Sequence, residues 1–361
     1  MVNLDGALSL PWLAPALRSA LQTQHAHAVL LHGPQGVGQF DLALTLAQAW
    51  LCEASDSAAR PCGTCASCRL VQAHGHPDLL VLLPDALREP LGWAQPSSDA
   101  DTPAAEKAGK AKPSKEIKVD AVRRAIEFAQ ITSARGRGKV VVIHPAERMN
   151  GIAANALLKT LEEPAGSARF LLSSAAPDAL LPTIRSRCQS FPLALPPAAL
   201  AIDWLTERGI ADPAVLLAAT GGQAQEAVEW AAQGIDAALW VKLPALVQRG
   251  QAAAFATWPT ARLVDALQKL CHDAACTAAG ASARYFPVGA VPASGNAGAL
   301  AAWMTELNRV ARHAEHPWSA ALLCESLVLQ GQRALRSVRP EASAGPIGSP
   351  GTTRLSVHSM R

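Results

Sequence analysis

The sequence predicts an α/β protein: a parallel sheet in the first half, followed by a second half that is helical throughout. Three observations carry this reading. Short apolar, β-rich runs alternate with stretches of helical spacing up to about residue 195, the pattern of a sheet flanked by helices. A glycine loop, HGPQGVGQF (His32 to Phe40), stands between the first such run and the first helix after it. From Pro196 onward the chain is Ala- and Leu-rich with no convincing strand.

Taken in order, the strands are Ala28 to Gly33, Asp78 to Pro84, Lys139 to His144 and Arg169 to Ala175. Three of them are apolar at nearly every residue, as strands covered on both faces should be. The helix after the glycine loop places Phe40, Ala43, Leu44, Ala47 and Leu51 at helical spacing. A second helix, NGIAANALLKTLEEP, carries Ile152, Ala156, Leu157 and Leu161 on one side and stops before Pro164. Residues 85–114 turn to Ala, Pro, Ser, Asp and Lys and read as a disordered surface insertion, too poor in large apolar residues to fold. In the second half, Gly221 with Gly222, and the run Pro287 to Gly298, are the joints; the tail 341–361 reads as disordered.

With 361 residues, half of them hydrophobic, the chain has material for two or three domains with their own cores. Its apolar stretches are broken by charged or amide residues before membrane-spanning length. MVNLDGALSLPWLAPAL lacks a basic segment ahead of an apolar core, so the expected address is cytoplasmic. A net charge of +3 is too slight to argue for nucleic acid, and the nine Trp are scattered rather than interleaved with basic residues, which points to core packing.

Eight cysteines in such a compartment are not expected to be disulfides. Four of them, Cys52, Cys62, Cys65 and Cys68, crowd into CEASDSAARPCGTCASC. Thiolates two residues apart turn inward on one tight loop, and Gly63 gives that loop its freedom. Four sulfurs close a shell with no open position, which suits a structural Zn²⁺; an iron–sulfur cluster also takes four thiolates, and the spacing does not separate the two. Cys188, Cys271, Cys276 and Cys324 are isolated and read as small core residues.

The glycine loop has the spacing of a phosphate-binding loop, Gly33 and Gly38 with four residues between, and the strand-to-helix context such a loop needs. The two reactive positions are altered: Gln39 stands for Lys and Phe40 for Ser or Thr. A hydrogen bond to a charged group is worth about 1.5–3 kcal/mol, so loss of the Lys alone weakens triphosphate binding roughly tenfold to a hundredfold. At the end of the third strand, IHPAE puts His144 where a Mg²⁺-binding Asp would be and keeps Glu147 where a water-poising Glu would be. The chain is therefore not expected to hold or hydrolyse ATP at its own site. One element could still serve catalysis: Ser186-Arg187-Cys188 at the end of the sheet domain offers a guanidinium on an exposed turn. From the tripeptide alone, Arg185 and Arg187 read as solvated surface charges.

GPQGVGQF, the inserted four-cysteine module, HPD (His76 to Asp78), NALLKTLEEP (Asn155 to Pro164), LLPTIRSRC (Leu180 to Cys188) and HPWSAALLCESLVLQ (His316 to Gln330) together resemble the clamp-loader branch of the AAA+ proteins. The resemblance covers the chain to about Pro340. It implies a RecA-like AAA+ domain with an inserted zinc module over 1–195, a small helical lid over 196–235 and a helical collar over 236–340 that joins a ring of subunits. The altered loop beside an intact SRC is similar to the member of that branch that does not hydrolyse ATP. Carried over, Arg187 is an arginine finger offered in trans to the ATP of a neighbouring gamma or tau subunit, with Ser186 and Cys188 holding its turn; Cys52, Cys62, Cys65 and Cys68 hold zinc. The implied partners are the gamma or tau and delta subunits, the sliding clamp and primed DNA. ATGGQAQEA, with Gln223 and Gln225, lacks the lid Arg of active members, in keeping with an inactive site. Two other readings compete. An independent NTPase would need substitutes for Gln39 and Phe40 that the sequence does not offer. A zinc-dependent nucleic-acid binder would want a basic stripe, and the cysteine module has only Arg60 and Arg69 close by.

Overall fold

The computed structural model describes residues 1–23, 26–93, 113–292, 296–313 and 319–336. Five parallel strands form one sheet: β1 (Ala28–His32), β2 (Leu79–Leu82), β3 (Val140–Ile143), β4 (Arg169–Ser174) and β5 (Gln189–Pro192), in the order β2-β3-β4-β1-β5. The helices of this part are α1 (Leu13–Thr23), α2 (Gln39–Leu51), α3 (Ala66–Gln72), α4 (Asp85–Arg88), α5 (Val119–Gln130), α6 (Gly151–Glu162) and α7 (Pro182–Arg185). α8 (Ala198–Glu207), α9 (Pro213–Ala219) and α10 (Ala224–Ala232) follow the last strand. The chain divides into two compact units, Met1–Ala237 and Ala238–Arg361.

Alternate residues of the central strands feed two separate cores. Val29, Leu31, Val140, Val142 and Leu171 pack on one face with Leu42 and Leu46 of α2. Leu30, Val141, Ile143, Phe170 and Leu172 pack on the other with Val122 of α5 and Leu157 of α6. A two-residue period in which both sets are apolar is what a doubly covered parallel sheet requires. α2 is Leu- and Ala-rich and buried on most of its circumference, so helix propensity and burial agree. Asn150 caps α6 by accepting from the Ala153 N–H at 2.9 Å, and Pro164 follows its end.

The four expected strands form, each trimmed by one to three residues. β5 is an addition to them: QSFP has no apolar run, three of its four residues are exposed, and only edge pairing with β1 makes it a strand. The face expected of α6 is partly wrong. Leu157 and Leu161 are buried, but Ile152 is 69% exposed and Ala156 only half-buried, with Ala153 and Ala154 facing the core instead. The start of the expected insertion is also built. α4 forms, Leu91 and Trp93 pack against the first core, and Trp93 stacks on His74 at 4.0 Å. Residues 94–112 lie outside the described residues, as does the tail from 337.

In the second unit, α11 (Ala237–Gln248), α12 (Thr260–Ala278), α13 (Ala297–Arg312) and α14 (Ala320–Ala334) are all helical, and no strand occurs among the described residues after β5. Scattered tryptophans do serve the core there. Trp240 stacks on Phe286 at 4.5 Å and donates to the Tyr285 carbonyl, and Trp303 donates from α13 to the Leu327 carbonyl of α14. Of the isolated cysteines, Cys188, Cys271 and Cys324 are buried, while Cys276 is only partly so, beside His272. Gly221 and Gly222 join α9 to α10 with φ +67° and +93°; the loop between α12 and α13 spans the second expected joint, of which 293–295 lie outside the described residues.

Candidate functional site

β1 lies between β4 and β5, where the strand order reverses, and the glycine loop leaves its carboxyl end. Open parallel sheets bind ligands in the crevice at such a point. The loop geometry is retained for reasons of packing. A Cβ at Gly33 would stand 2.3 Å from the Leu193 carbonyl oxygen, and Gly38 turns into α2 at φ +97° with a Cβ that would meet Leu10 at 2.7 Å. The Val37 carbonyl is taken by Trp12 Nε1 at 3.0 Å. The loop is thus wedged between the N-terminal segment and the strand edge whether or not a phosphate is bound.

The reactive positions are filled. Gln39 is buried and folds back on the loop, its amide donating to the Gly33 and Pro34 carbonyls at 2.8 and 2.6 Å. Phe40 stacks on His144 with centroids 4.5 Å apart and planes 20° from parallel. An aromatic pair therefore stands between the start of α2 and the end of β3, and it offers neither a hydroxyl nor a carboxylate there. Burial drives the His144 pKa down to about 4, so the ring is neutral near pH 7 and sits within 2.9 Å of Ser173 Oγ. Glu147 Oε1 accepts from the Ala175 N–H, just past the carboxyl end of β4, at 3.2 Å. From the start of α10, Gln225 donates to Asp41 Oδ2 at 3.2 Å, and Gln223 packs on Gly36 with its amide nitrogen facing the Gln35 carbonyl at 2.8 Å. The cleft that remains, about 440 Å³, is lined among the described residues by the carboxylates of Asp41, Glu147, Glu226 and Glu229 against the guanidinium of Arg148. Its charge opposes a triphosphate.

The four cysteines come together. Cys52 follows the end of α2, Cys62 precedes the turn at Gly63 (φ +74°), and Cys65 and Cys68 bracket the start of α3. Their sulfurs all lie within 4.8 Å of one another, with Sγ–Sγ separations of 3.6, 3.9 and 3.9 Å for 52–62, 52–65 and 62–68. A tetrahedron with metal–sulfur bonds of about 2.3 Å has an edge of about 3.8 Å. The set therefore fits one four-coordinate ion, whereas a cluster would spread its thiolates over several irons. Backbone N–H groups of Ala54, Cys65 and Cys68 point at Cys52, Cys62 and Cys65 sulfurs at 3.4–3.5 Å, which favours thiolates.

The HPD motif ties this module to the sheet. Asp78 accepts from Ser133 Oγ, the Ala134 and Arg135 N–H groups and Lys139 Nζ, at 2.8–3.1 Å. His76 Nδ1 accepts from the Asp78 N–H, so in the neutral ring Nε2 carries the proton and donates to Ser67 Oγ at 3.0 Å, between Cys65 and Cys68. Arg135 closes the circuit, reaching Ser67 Oγ and Glu53.

Arg187 is not a free surface charge. Its Nε donates to Glu162 Oε1 at 2.6 Å, its Nη2 pairs with the same carboxylate, and its Nη1 donates to the Thr183 carbonyl at 2.9 Å. Two of the sequence signatures, TLEEP and SRC, thus touch through Glu162 and Arg187. Ser186 Oγ donates to the Thr183 carbonyl, and Cys188 is buried beneath the turn, its thiol pushed up to about 12 by burial. Arg185 pairs separately with Asp178 at 2.9 Å. Glu162 cannot be singled out from the sequence, where nothing distinguishes it from its exposed neighbour Glu163.

A family model described as DNA polymerase III, delta subunit, matches residues 13–197. The chain is 40% identical over 231 residues to the DNA polymerase III subunit delta' of Pseudomonas aeruginosa, covering 62% of each chain. It is 31% identical over 281 residues to the subunit delta' of Escherichia coli, covering 72% of this chain and 76% of that one. A shorter match, 34% over 167 residues, covers 46% of this chain and 21% of the E. coli DNA polymerase III subunit tau. The matched region thus spans between about three fifths and three quarters of the two delta' relatives' length.

Proposed function

Since the chain belongs to the DNA polymerase III delta' family, we propose that it is a non-hydrolysing subunit of the clamp loader that supplies Arg187 in trans to the ATP site of a neighbouring gamma or tau subunit. The observation that carries this reading is the pairing of a blocked site with a presented arginine. Phe40 and His144 fill the metal position and Gln39 is spent on its own loop, while Arg187 is held on a turn by Glu162 with donor capacity to spare. A protein that keeps the frame of an ATP site but closes it has that frame for assembly. The similarity to subunit tau supports relatedness between this chain and the neighbour proposed for it. In that ring the chain contributes position and charge, and its rigid, lid-tied loop suits a stationary member. The gamma or tau and delta subunits, the sliding clamp and primed DNA are the partners of this reading, with 196–235 as lid and 236–340 as collar.

The Cys52, Cys62, Cys65 and Cys68 shell is proposed to hold one structural Zn²⁺, which when bound supplies cross-linking of the α2 end to α3 and no open coordination position. Metal analysis of the purified chain is expected to find one zinc per chain; iron, or no metal in freshly purified protein, would contradict it.

The reading as a whole is tested by ATP hydrolysis. The chain alone is expected to show no turnover and no ATP-dependent rise in melting temperature, whereas a mixture with its gamma or tau and delta partners, clamp and primed DNA hydrolyses ATP. Turnover by the chain alone would mean that the altered loop is a working site, and the proposal would fall.

A further inference from the structure

At the opposite end of the sheet from the glycine loop, where β4 begins, a cleft of about 350 Å³ opens beside the cysteine module. Arg60, Arg137 and Arg169 line it with Trp50 and Ser57, and no carboxylate is among the described residues that do so. The three arginines come from three separate parts of the chain: the module, the loop before β3 and the first residue of β4.

Their hydrogen bonding leaves their charge uncompensated. Arg60 donates to the Ala54 carbonyl through Nε at 2.8 Å and Nη2 at 2.5 Å, and Arg137 Nη2 reaches the same oxygen at 3.4 Å. Two cations converging on one neutral oxygen repel each other. Arg169 lies over the Trp50 ring, 4.6 Å from its centroid, and its guanidinium makes no hydrogen bond or ion pair among the described residues. It is half-buried, and desolvation alone draws its pKa down, with no carboxylate to draw it back. Some arginines of this unit have acid partners, Arg135 with Glu53, Arg185 with Asp178 and Arg187 with Glu162, and Arg208 lies over Trp204 without one; the cleft is set apart by gathering three such cations on one wall. Three gathered guanidiniums without an acid call for an anion from outside the chain.

Phosphate is the anion whose oxygens match a guanidinium fork in pairs and whose charge offsets more than one of them. The volume, at the lower end of small-ligand sites, has room for a phosphate-bearing group. We propose that the Arg60–Arg137–Arg169 cleft is a binding site for phosphate groups, presented either as a free oligophosphate or as the backbone of a nucleic-acid strand. The site is independent of Arg187 and of the altered glycine loop, which lies at the other end of the strands.

The test uses calorimetric titration of the full chain, at about 0.15 M salt so that weak surface attraction is screened. One arm uses inorganic pyrophosphate and the other a short single-stranded oligonucleotide. At least one probe is expected to bind, and Arg169→Gln, which sacrifices no hydrogen bond, to weaken it tenfold or more with the melting temperature preserved. Arg137→Gln, in an exposed loop, should act in the same direction. Pyrophosphate binding alone identifies the free anion as the source; oligonucleotide binding alone identifies the phosphodiester. If neither probe binds, or if both variants bind as the parent does, the cleft is not a phosphate site.

Discussion

Arg187→Ala is expected to leave the chain folded and, in the proposed role in trans, to lower hydrolysis at the neighbouring subunit's ATP site by about a thousandfold, the smaller end of what an arginine finger supplies. Stability should hardly change. The side chains of Arg187 and Glu162 are 30% and 47% exposed, and partly exposed ion pairs of this kind contribute about 0–1 kcal/mol. Activity and folding are therefore separable at this position, which makes the variant informative. Arg187→Lys should rescue little, because an ammonium cannot contact Glu162 and the Thr183 carbonyl and still present a planar fork to a γ-phosphate. Glu162→Gln weakens the grip on the guanidinium without removing it, and a smaller loss is expected. In single-turnover hydrolysis by the reconstituted assembly, a site that has lost this arginine should appear as a slow phase beside the unaffected ones. Unchanged single-turnover kinetics in the Ala variant would remove Arg187 from the mechanism.

Much of this arrangement can be read from the sequence, and what cannot has a physical cause. The central strands announce themselves because both their faces are buried, so their middle residues are apolar on either side; β5 stays silent because an edge strand needs only backbone pairing. The cysteine cluster is legible because its ligands are close in the chain and the chemistry of four thiolates is specific. Gln39 and Phe40 reveal that the loop departs from the phosphate-binding pattern, but not what fills the altered positions. That depends on His144, far along the chain, lying flat on Phe40, and on the Gln39 amide having its own loop carbonyls to bind. The SRC arginine is visible while its partner is not, since Glu162 is one of two adjacent glutamates at a helix end and only the fold decides which faces Arg187. The phosphate cleft is the extreme case: Arg60, Arg137 and Arg169 are ordinary surface residues until the sheet and the cysteine module bring them together. Contacts between distant segments carry the information that local pattern lacks.

Asp78→Ala should destabilise the sheet unit by about 3–5 kcal/mol, far more than the loss of any exposed ion pair, because it strands a buried cation. Asp78 is fully buried and Lys139 is 6% exposed, their oxygen and nitrogen 3.1 Å apart. Burial raises the carboxyl pKa, but the N–H groups of Ala134 and Arg135, the Ser133 hydroxyl and Lys139 outweigh it and hold the group below the usual carboxylate range. The sign of the pH dependence follows. With the folded pKa below the unfolded one, the unfolded chain binds more protons in the interval between them, so the contribution is complete above the unfolded value and is lost as pH falls through the folded one. Asp78→Asn should lose less than Ala, since the amide oxygen still accepts from a backbone N–H, but it must turn its NH₂ toward donors. The damage should reach beyond the pair. The loop that Asp78 fastens carries Arg135, which holds Glu53 and Ser67 beside the cysteines, so the Ala variant should also release metal faster to a chelator. Urea unfolding at pH 7 measures the first effect and metal release to a colorimetric chelator under native conditions the second. If stability falls but metal retention is unchanged, the HPD motif supports the sheet alone; if neither moves, Lys139 finds another partner and the buried pair has no such role.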